Sequence, residues 1–253
     1  MRLRPAFAGL LATCSLAACI PVRIGSPSLA SRESPVQAAQ PYEVIYSQLR
    51  HSMLYSDCGA GAARNGPAAG LDATLIPSDE YEQEGRRAQA LIEPYRFTIG
   101  LTNGPRKGST VQVTVPAGFV SDFHSTPDAA VGMTLPIRKA LEAAVVHDWL
   151  YAVGAAGDED QRELADQVYS DILAFYGVDS GTNWMVSTAV RWSAAKNFGA
   201  PEELRFYNRC FYGWCAEEGG PLPASPVTAL EPDPALRARL WDLTVCVTTP
   251  EPA

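Results

Sequence analysis

The chain has 253 residues, 47% of them hydrophobic and 19% charged, with a formal net charge of −8. That is too apolar for a disordered chain and long enough for one medium domain with its own core. A net negative surface repels phosphate backbones, so nucleic-acid binding is excluded as an expectation.

The N-terminus reads as a targeting segment. Met1-Arg2-Leu3-Arg4 is a short positive start, and Pro5 to Ala18 is an apolar stretch too short to span a bilayer. Leu16-Ala17-Ala18-Cys19 then resembles the lipobox of bacterial lipoproteins, which implies cleavage after residue 18, lipidation (palmitate among the acyl chains) on Cys19, and a membrane partner through that lipid. Leu11-Ala12-Thr13-Cys14 is a weaker version of the same pattern, and ordinary secretion is the alternative. Ile20 after the cysteine would suit the outer membrane, so the expected location is the cell envelope, on the periplasmic side. Without Arg2 and Arg4 the net charge falls to about −10.

In such a compartment Cys58, Cys210, Cys215 and Cys246 are disulfide candidates with three possible pairings; Cys210 and Cys215, five apart, are expected to bridge to Cys58 or Cys246 and not to each other. A metal site from these four lacks any C-x-x-C spacing. Residues 19–40, rich in serine and proline, read as a tether, and 41–253 as a single globular domain with its motif core at 94–200.

Along the domain, Tyr42, Ile45, Leu49 and Met53 predict a helix over 42–56, with His51 on its polar side. Residues 57–72 read as a loop, and Ser78 opens a predicted helix through about Leu91 carrying a Glu82–Arg86 pair. Tyr95 to Leu101 and Val111 to Val115 alternate around Asn103-Gly104 and predict a β-hairpin. The loop after it, Phe119 to Pro127, gathers Asp122, His124 and Ser125, where function and local turn-making compete as explanations.

Ile137 to Val153 is apolar almost all round and predicts a central buried helix, yet it contains His147 and Asp148. Burying either without a partner costs several kcal/mol or shifts its pKa, so this is the strongest site candidate. Gly154 to Gly157 breaks the helix. Asp158 as N-cap and Gln161 in the capping-box position then start a second one, to Gly177. The short connection predicts an antiparallel pair, on which His147 and Asp166 both stand roughly 10 to 12 Å from the turn. A His147–Asp166 hydrogen bond would fix the imidazole tautomer; Asp148, about 100° away, stays available for a cation, and Tyr151 covers the same face as His147.

A third helix over 182–198 carries Trp184, Val186, Val190 and Ala194 as a packing stripe; Trp192 and Arg191 read as core and solvated positions, with the border of a cleft as the alternative for both. Residues 201–253, with Phe206, Tyr207, Trp214, two cysteines and a last helix from Asp233, read as a disulfide-tied cover. The predicted fold is thus mainly α with a β-hairpin (α+β), an antiparallel helix pair carrying the His-Asp motif, and a third helix packed on it.

Residues 113–199 resemble an uncharacterised domain family of bacteria and phages. The resemblance rests on Val115-Pro116-Ala117-Gly118-Phe119-Val120-Ser121-Asp122-Phe123-His124-Ser125-Thr126-Pro127, on Ala143 to Tyr151, on Ala165-Asp166, and on Val190-Arg191 with Phe198-Gly199. It brings no established activity.

His147-Asp148-x-x-Tyr151 followed by Asp166-x-x-Tyr169 also resembles the helix pair of secreted phospholipases A2 of the bacterial type. That resemblance implies His147 as base, Asp166 as the orienting acid, Tyr151 as a supporting hydroxyl and Asp148 as a Ca²⁺ ligand, with a lipid or small ester as substrate. The glycine-rich calcium loop of that family is missing, and Asp122 is the candidate to supply the absent ligand.

A-x-x-H-D on an apolar helix resembles the HD-domain motif as well, implying a Zn²⁺ or Mn²⁺ phosphohydrolase or peptidase with His124 and Asp166 as further ligands. The third reading is a non-catalytic envelope lipoprotein whose His147, Asp148 and Asp166 form a buried network that fixes helix register.

Overall fold

The computed structural model describes residues 65–76, 88–122, 137–200, 203–208, 227–230 and 234–249, with backbone only for 137–140. The signal segment, Cys19, the tether, the predicted helix over 42–56, Cys58, most of the predicted helix from Ser78, His124, Ser125, Cys210 and Cys215 lie outside the described residues.

The described fold is mixed α+β. Three antiparallel sheets are built from β1 (Gly66–Pro67), β2 (Ala73–Leu75), β3 (Gln89–Leu91), β4 (Tyr95–Gly100), β5 (Thr110–Val115), β6 (Val120–Ser121), β7 (Arg205–Tyr207), β8 (Val227–Ala229) and β9 (Val245–Thr248). Their orders are β1-β4-β5-β9, β2-β3-β6 and β7-β8. The helices are α1 (Ile137–Val153), α2 (Glu159–Phe175), α3 (Ser180–Ala194) and α4 (Pro234–Thr244).

The hairpin β4–β5 forms as predicted, and its register explains the core. Tyr95, Phe97 and Ile99 stand opposite Val115, Val113 and Val111, and all six are buried. Because side chains alternate along a strand, these pairs share one face, and each buried side chain contributes roughly 1.5 to 3 kcal/mol. Helices α1 and α4 pack on β5, and α2 packs on β4 and on α1.

The hairpin loop is pinned to α2 rather than left free. Thr102 Oγ1 donates to Asp171 Oδ1 at 2.5 Å, Gln167 donates to the Asn103 carbonyl, and Arg106 Nη1 donates to the Asp160 carbonyl at 2.9 Å. Burial raises the Asp171 pKa, with the Thr102 hydrogen bonds opposing it.

Four expectations need correction. Residues 89–91 are a strand between β2 and β6, because Ala90 and Leu91 are buried in sheet pairings that a local helix pattern does not foresee. The glycine-rich stretch before Asp72 contributes β1 to the edge of the main sheet. The third helix ends at Ala194 and passes into a 3₁₀ turn over Ala195–Asn197. Residues 245–248 are no cover: β9 pairs with β5 inside the main sheet, so the end of the described chain completes the core.

Helix α1 is held at its C-terminal end, where carbonyls would otherwise lack donors. Arg237, buried on α4, donates to Ala152 O at 2.8 Å and Gly154 O at 3.3 Å; Gly199 N donates to Tyr151 O at 2.9 Å. A guanidinium there also complements the negative end of the helix dipole. Trp149 Nε1 donates to Thr244 Oγ1 at 3.0 Å, so the largest core side chain ties α1 to α4.

Gly199 has φ +69°, and a Cβ on it would lie 2.5 Å from the Ala156 backbone nitrogen. Gly199→Ala is therefore expected to destabilise the fold by about 2 to 4 kcal/mol, since backbone must shift on both sides. Urea unfolding of the variant against the parent checks this.

Candidate functional site

The site begins with α1, an apolar helix whose buried stretch is interrupted by two polar groups. His147 is 1% exposed and lies between Tyr151, at a ring-centroid distance of 4.1 Å, and Tyr169 at 5.1 Å. For a histidine so enclosed, the protein groups around it decide its protonation.

Those partners are on α2. Its start is set by Asp158, whose carboxylate accepts from Gln161 N at 3.0 Å. Gln161 does not close the box on Asp158; its Oε1 accepts from Ala155 N at 2.8 Å and so fixes the connection from α1. Two turns on, Asp166 is 3% exposed, with Oδ1 at 3.1 Å from His147 Nε2. Tyr151 donates to the same oxygen at 2.7 Å. The other oxygen faces Arg162 Nη1 and Arg191 Nε, each at 3.4 Å.

Burial works against charge on Asp166, but the His147 hydrogen bond and charge, Tyr151 and Arg191 outweigh it and hold its pKa below the ordinary 3.8. Burial likewise works against charge on His147, and the carboxylates of Asp148 and Asp166 outweigh it, so its pKa stands above 6.5. An ionised carboxylate only accepts, so the hydrogen shared with Asp166 sits on Nε2. This makes Nδ1 the nitrogen that titrates. Among the described residues, Nδ1 is the buried side-chain nitrogen or oxygen that lacks a hydrogen-bond partner.

Asp148 lies beside it. Its Oδ1 is 4.0 Å from His147 Nδ1, beyond hydrogen-bond reach, and its side chain keeps 17% exposure. Ser121 Oγ donates to Oδ2 at 2.5 Å, so β6 holds this carboxylate in place. Asp122 is half-buried and follows directly on Ser121.

Of the residues singled out in the sequence, the structure thus gathers His147, Asp166 and Tyr151 into one cluster, with Asp148 at its margin. Cys246 is disulfide-bonded, on β9 opposite Gln112. Sequence reasoning missed Ser121, Arg162 and Arg191. Arg162 was detectable as the i−4 neighbour of Asp166, a helical ion-pair spacing. Arg191, expected as a solvated charge, is 55% exposed, and its Nε also faces Asp166 from α3.

No group of three or more His, Cys, Asp or Glu side chains that could hold a metal ion occurs among the described residues. Calcium takes six to eight oxygens, and Asp148 with Asp122 supplies too few of them. The described donors therefore do not fit a calcium cage.

Residues 103–190 match a family model described as "Protein of unknown function (DUF1353)". The match spans about a third of the chain and agrees with the resemblance to an uncharacterised family. It includes His147, Asp148, Tyr151 and Asp166, and stops one residue short of Arg191. No curated protein and no solved structure matches this chain.

The two shifts give opposite stability contributions with pH. Asp166, with its pKa lowered, stabilises above 3.8 and loses that contribution as pH falls through its folded value; His147, with its pKa raised, stabilises fully below 6.5 and loses it as pH rises through its folded value. Stability is expected to be greatest between these two limits. Asp166→Asn removes the charge that His147, Arg162 and Arg191 face and should cost about 3 to 5 kcal/mol. Denaturant unfolding across pH, with a double-mutant cycle against His147→Asn, measures both effects.

Proposed function

We propose that this chain is an envelope lipoprotein carrying a hydrolase-like site in which His147 is the general base for water attack on an ester, phospholipase A2-like in its arrangement. The observation that carries the reading is the unpartnered Nδ1 of a buried histidine whose other nitrogen is tied to a buried aspartate. A histidine serving packing alone is normally bonded at both nitrogens. Here one nitrogen is committed to Asp166, and the other faces Asp148 at 4.0 Å without a hydrogen bond among the described residues, which is the division of labour a general base needs.

In this reading α1 and α2 are an antiparallel pair joined by residues 154–158, which holds base and orienting acid at one level. Nδ1 takes a proton from water as the oxygen attacks the carbonyl carbon. The resulting imidazolium is stabilised by Asp166, and Nδ1 returns the proton to the departing alkoxide. Tyr151, Arg162 and Arg191 keep Asp166 ionised throughout. In this reading water and substrate come from the Asp148 side, where the carboxylate retains 17% exposure. The resemblance assigns Ca²⁺ to Asp148 and Asp122, but no step is routed through it, because the described donors fall short of a cage.

The HD-type alternative with Zn²⁺ or Mn²⁺ is less well supported, since two guanidinium groups beside Asp166 repel a divalent cation there. A structural role for the network is the second reading, and the 1% exposure of His147 favours it. The disulfide at Cys246 supports an oxidising compartment and hence the envelope assignment.

Assay of the purified protein on mixed phospholipids and short-chain esters, with calcium and with chelator, separates these readings. Activity is expected to rise with pH through a value above 6.5, as His147 sheds its proton, over the same range in which stability falls. His147→Gln should lower kcat by about 100-fold or more. Hydrolysis unaffected by His147→Gln, or absent in every condition, leaves the structural network as the function of these residues.

A further inference from the structure

A second feature lies on the other side of Arg191. Helices α2 and α3 and the hairpin loop enclose a cleft of about 420 Å³, lined among others by Ser170, Asn183, Trp184, Ser187, Thr188 and Arg191. That volume falls in the range of small-molecule sites. Trp184 is 68% exposed, and Trp192, two turns further along α3, is 82% exposed. The packing stripe expected for α3 is carried by Val186 and Val190 instead; Trp184, about 200° from Val186 around the helix, points away from the core.

The floor of the cleft is fixed. Asn183, 7% exposed, donates from Nδ2 to the Ser170 carbonyl at 2.8 Å. Its Oδ1 accepts from Ser170 Oγ at 3.1 Å and from Ser187 Oγ at 2.9 Å. Each of those hydroxyls has therefore spent its hydrogen on Asn183 and presents only lone pairs to a ligand. A carboxylate or phosphate has no hydrogen to give them. The ligand that matches must carry its own O–H donors, accept from Arg191, and lay a flat apolar face on an indole.

We propose that this cleft binds a neutral glycan, with one pyranose ring stacked on Trp184 and its hydroxyls bonded to Ser170, Ser187 and Arg191. A pyranose has the required parts: axial C–H groups on one face, drawn to the negative π-face of an indole, and a rim of hydroxyls that both donate and accept. Trp192 stands about 12 Å along the helix axis, within reach of a further ring of the same chain. The acidic net charge suits a neutral polymer and opposes an anionic surface. This binding role does not rest on the hydrolase reading.

Calorimetric titration of the full chain with three tetrasaccharides, of β-1,4-linked N-acetylglucosamine, β-1,4-linked glucose and α-1,4-linked glucose, tests it. At least one should bind, Trp184→Ala should weaken it about tenfold or more, and Trp192→Ala should change it far less. Thr188→Trp, which fills the cleft from its rim, should abolish binding with thermal unfolding unchanged, and serves if Trp184→Ala does not fold. Binding of none of the three, or equal binding by the parent and both cleft variants, overturns the proposal. So does Trp184-dependent sedimentation with phosphatidylglycerol vesicles in the absence of sugar binding, which would make this face a lipid contact.

Discussion

The carboxylate of Asp166 is the constraint around which the described fold is arranged. A charge at 3% exposure is tolerable only if enough donors reach it, and here they come from three helices: His147 and Tyr151 on α1, Arg162 on α2 itself, and Arg191 on α3. Each helix is thereby held in rotation and register as well as in contact. Apolar packing alone would do this poorly, because α1 is apolar almost all round and offers many nearly equivalent faces. The same carboxylate sets the tautomer of His147, so the register of the helices and the chemistry of the imidazole have a single origin.

The sheet serves that arrangement from beneath. Residues Thr102 and Asn103, at the head of the hairpin loop, bond Asp171 and Gln167 on the helix that carries Asp166. Ser121, on a strand of a different sheet, bonds Asp148. At the far end of α1, Arg237 and Gly199 satisfy its terminal carbonyls. His147 and Asp148 are thus placed by contacts distributed over much of the described chain, and those contacts are what let an imidazole and a carboxylate sit side by side in a largely buried helix.

How much of this was legible in the sequence follows from the range over which each signal acts. Bounds of α1, the N-cap Asp158 and the β4–β5 hairpin rest on local spacing and capping chemistry, and they were readable. The pairing of His147 with Asp166 was also readable, because equal distances from one short turn convert sequence into geometry. The strands β1, β3 and β9 were not, since two to four residues carry too little periodicity, and their partners lie far away in sequence. Arg191 escaped for the same reason: nothing near it announces a carboxylate twenty-five residues earlier. Trp184 and Trp192 were misplaced because helical periodicity tells which residues share a face, but not which of two apolar faces the core takes.

That last ambiguity bears on what the domain is for. Helix α3 has apolar residues on two faces, and it buries Val186 and Val190 while leaving two indoles to solvent. An exposed indole alone needs no explanation, but its placement beside a cleft with a pre-bonded polar floor argues for a ligand more strongly than either feature alone. Arg191 joins the two regions, lining the cleft and facing Asp166 from a half-exposed position. A ligand that drew the guanidinium outward would take a positive charge away from the Asp166–His147 pair and so raise the basicity of His147. Binding in the cleft and proton transfer at Nδ1 would then be thermodynamically linked, with coupling in both directions, and the side chain that carries it is the one ion-pair partner of Asp166 contributed by α3.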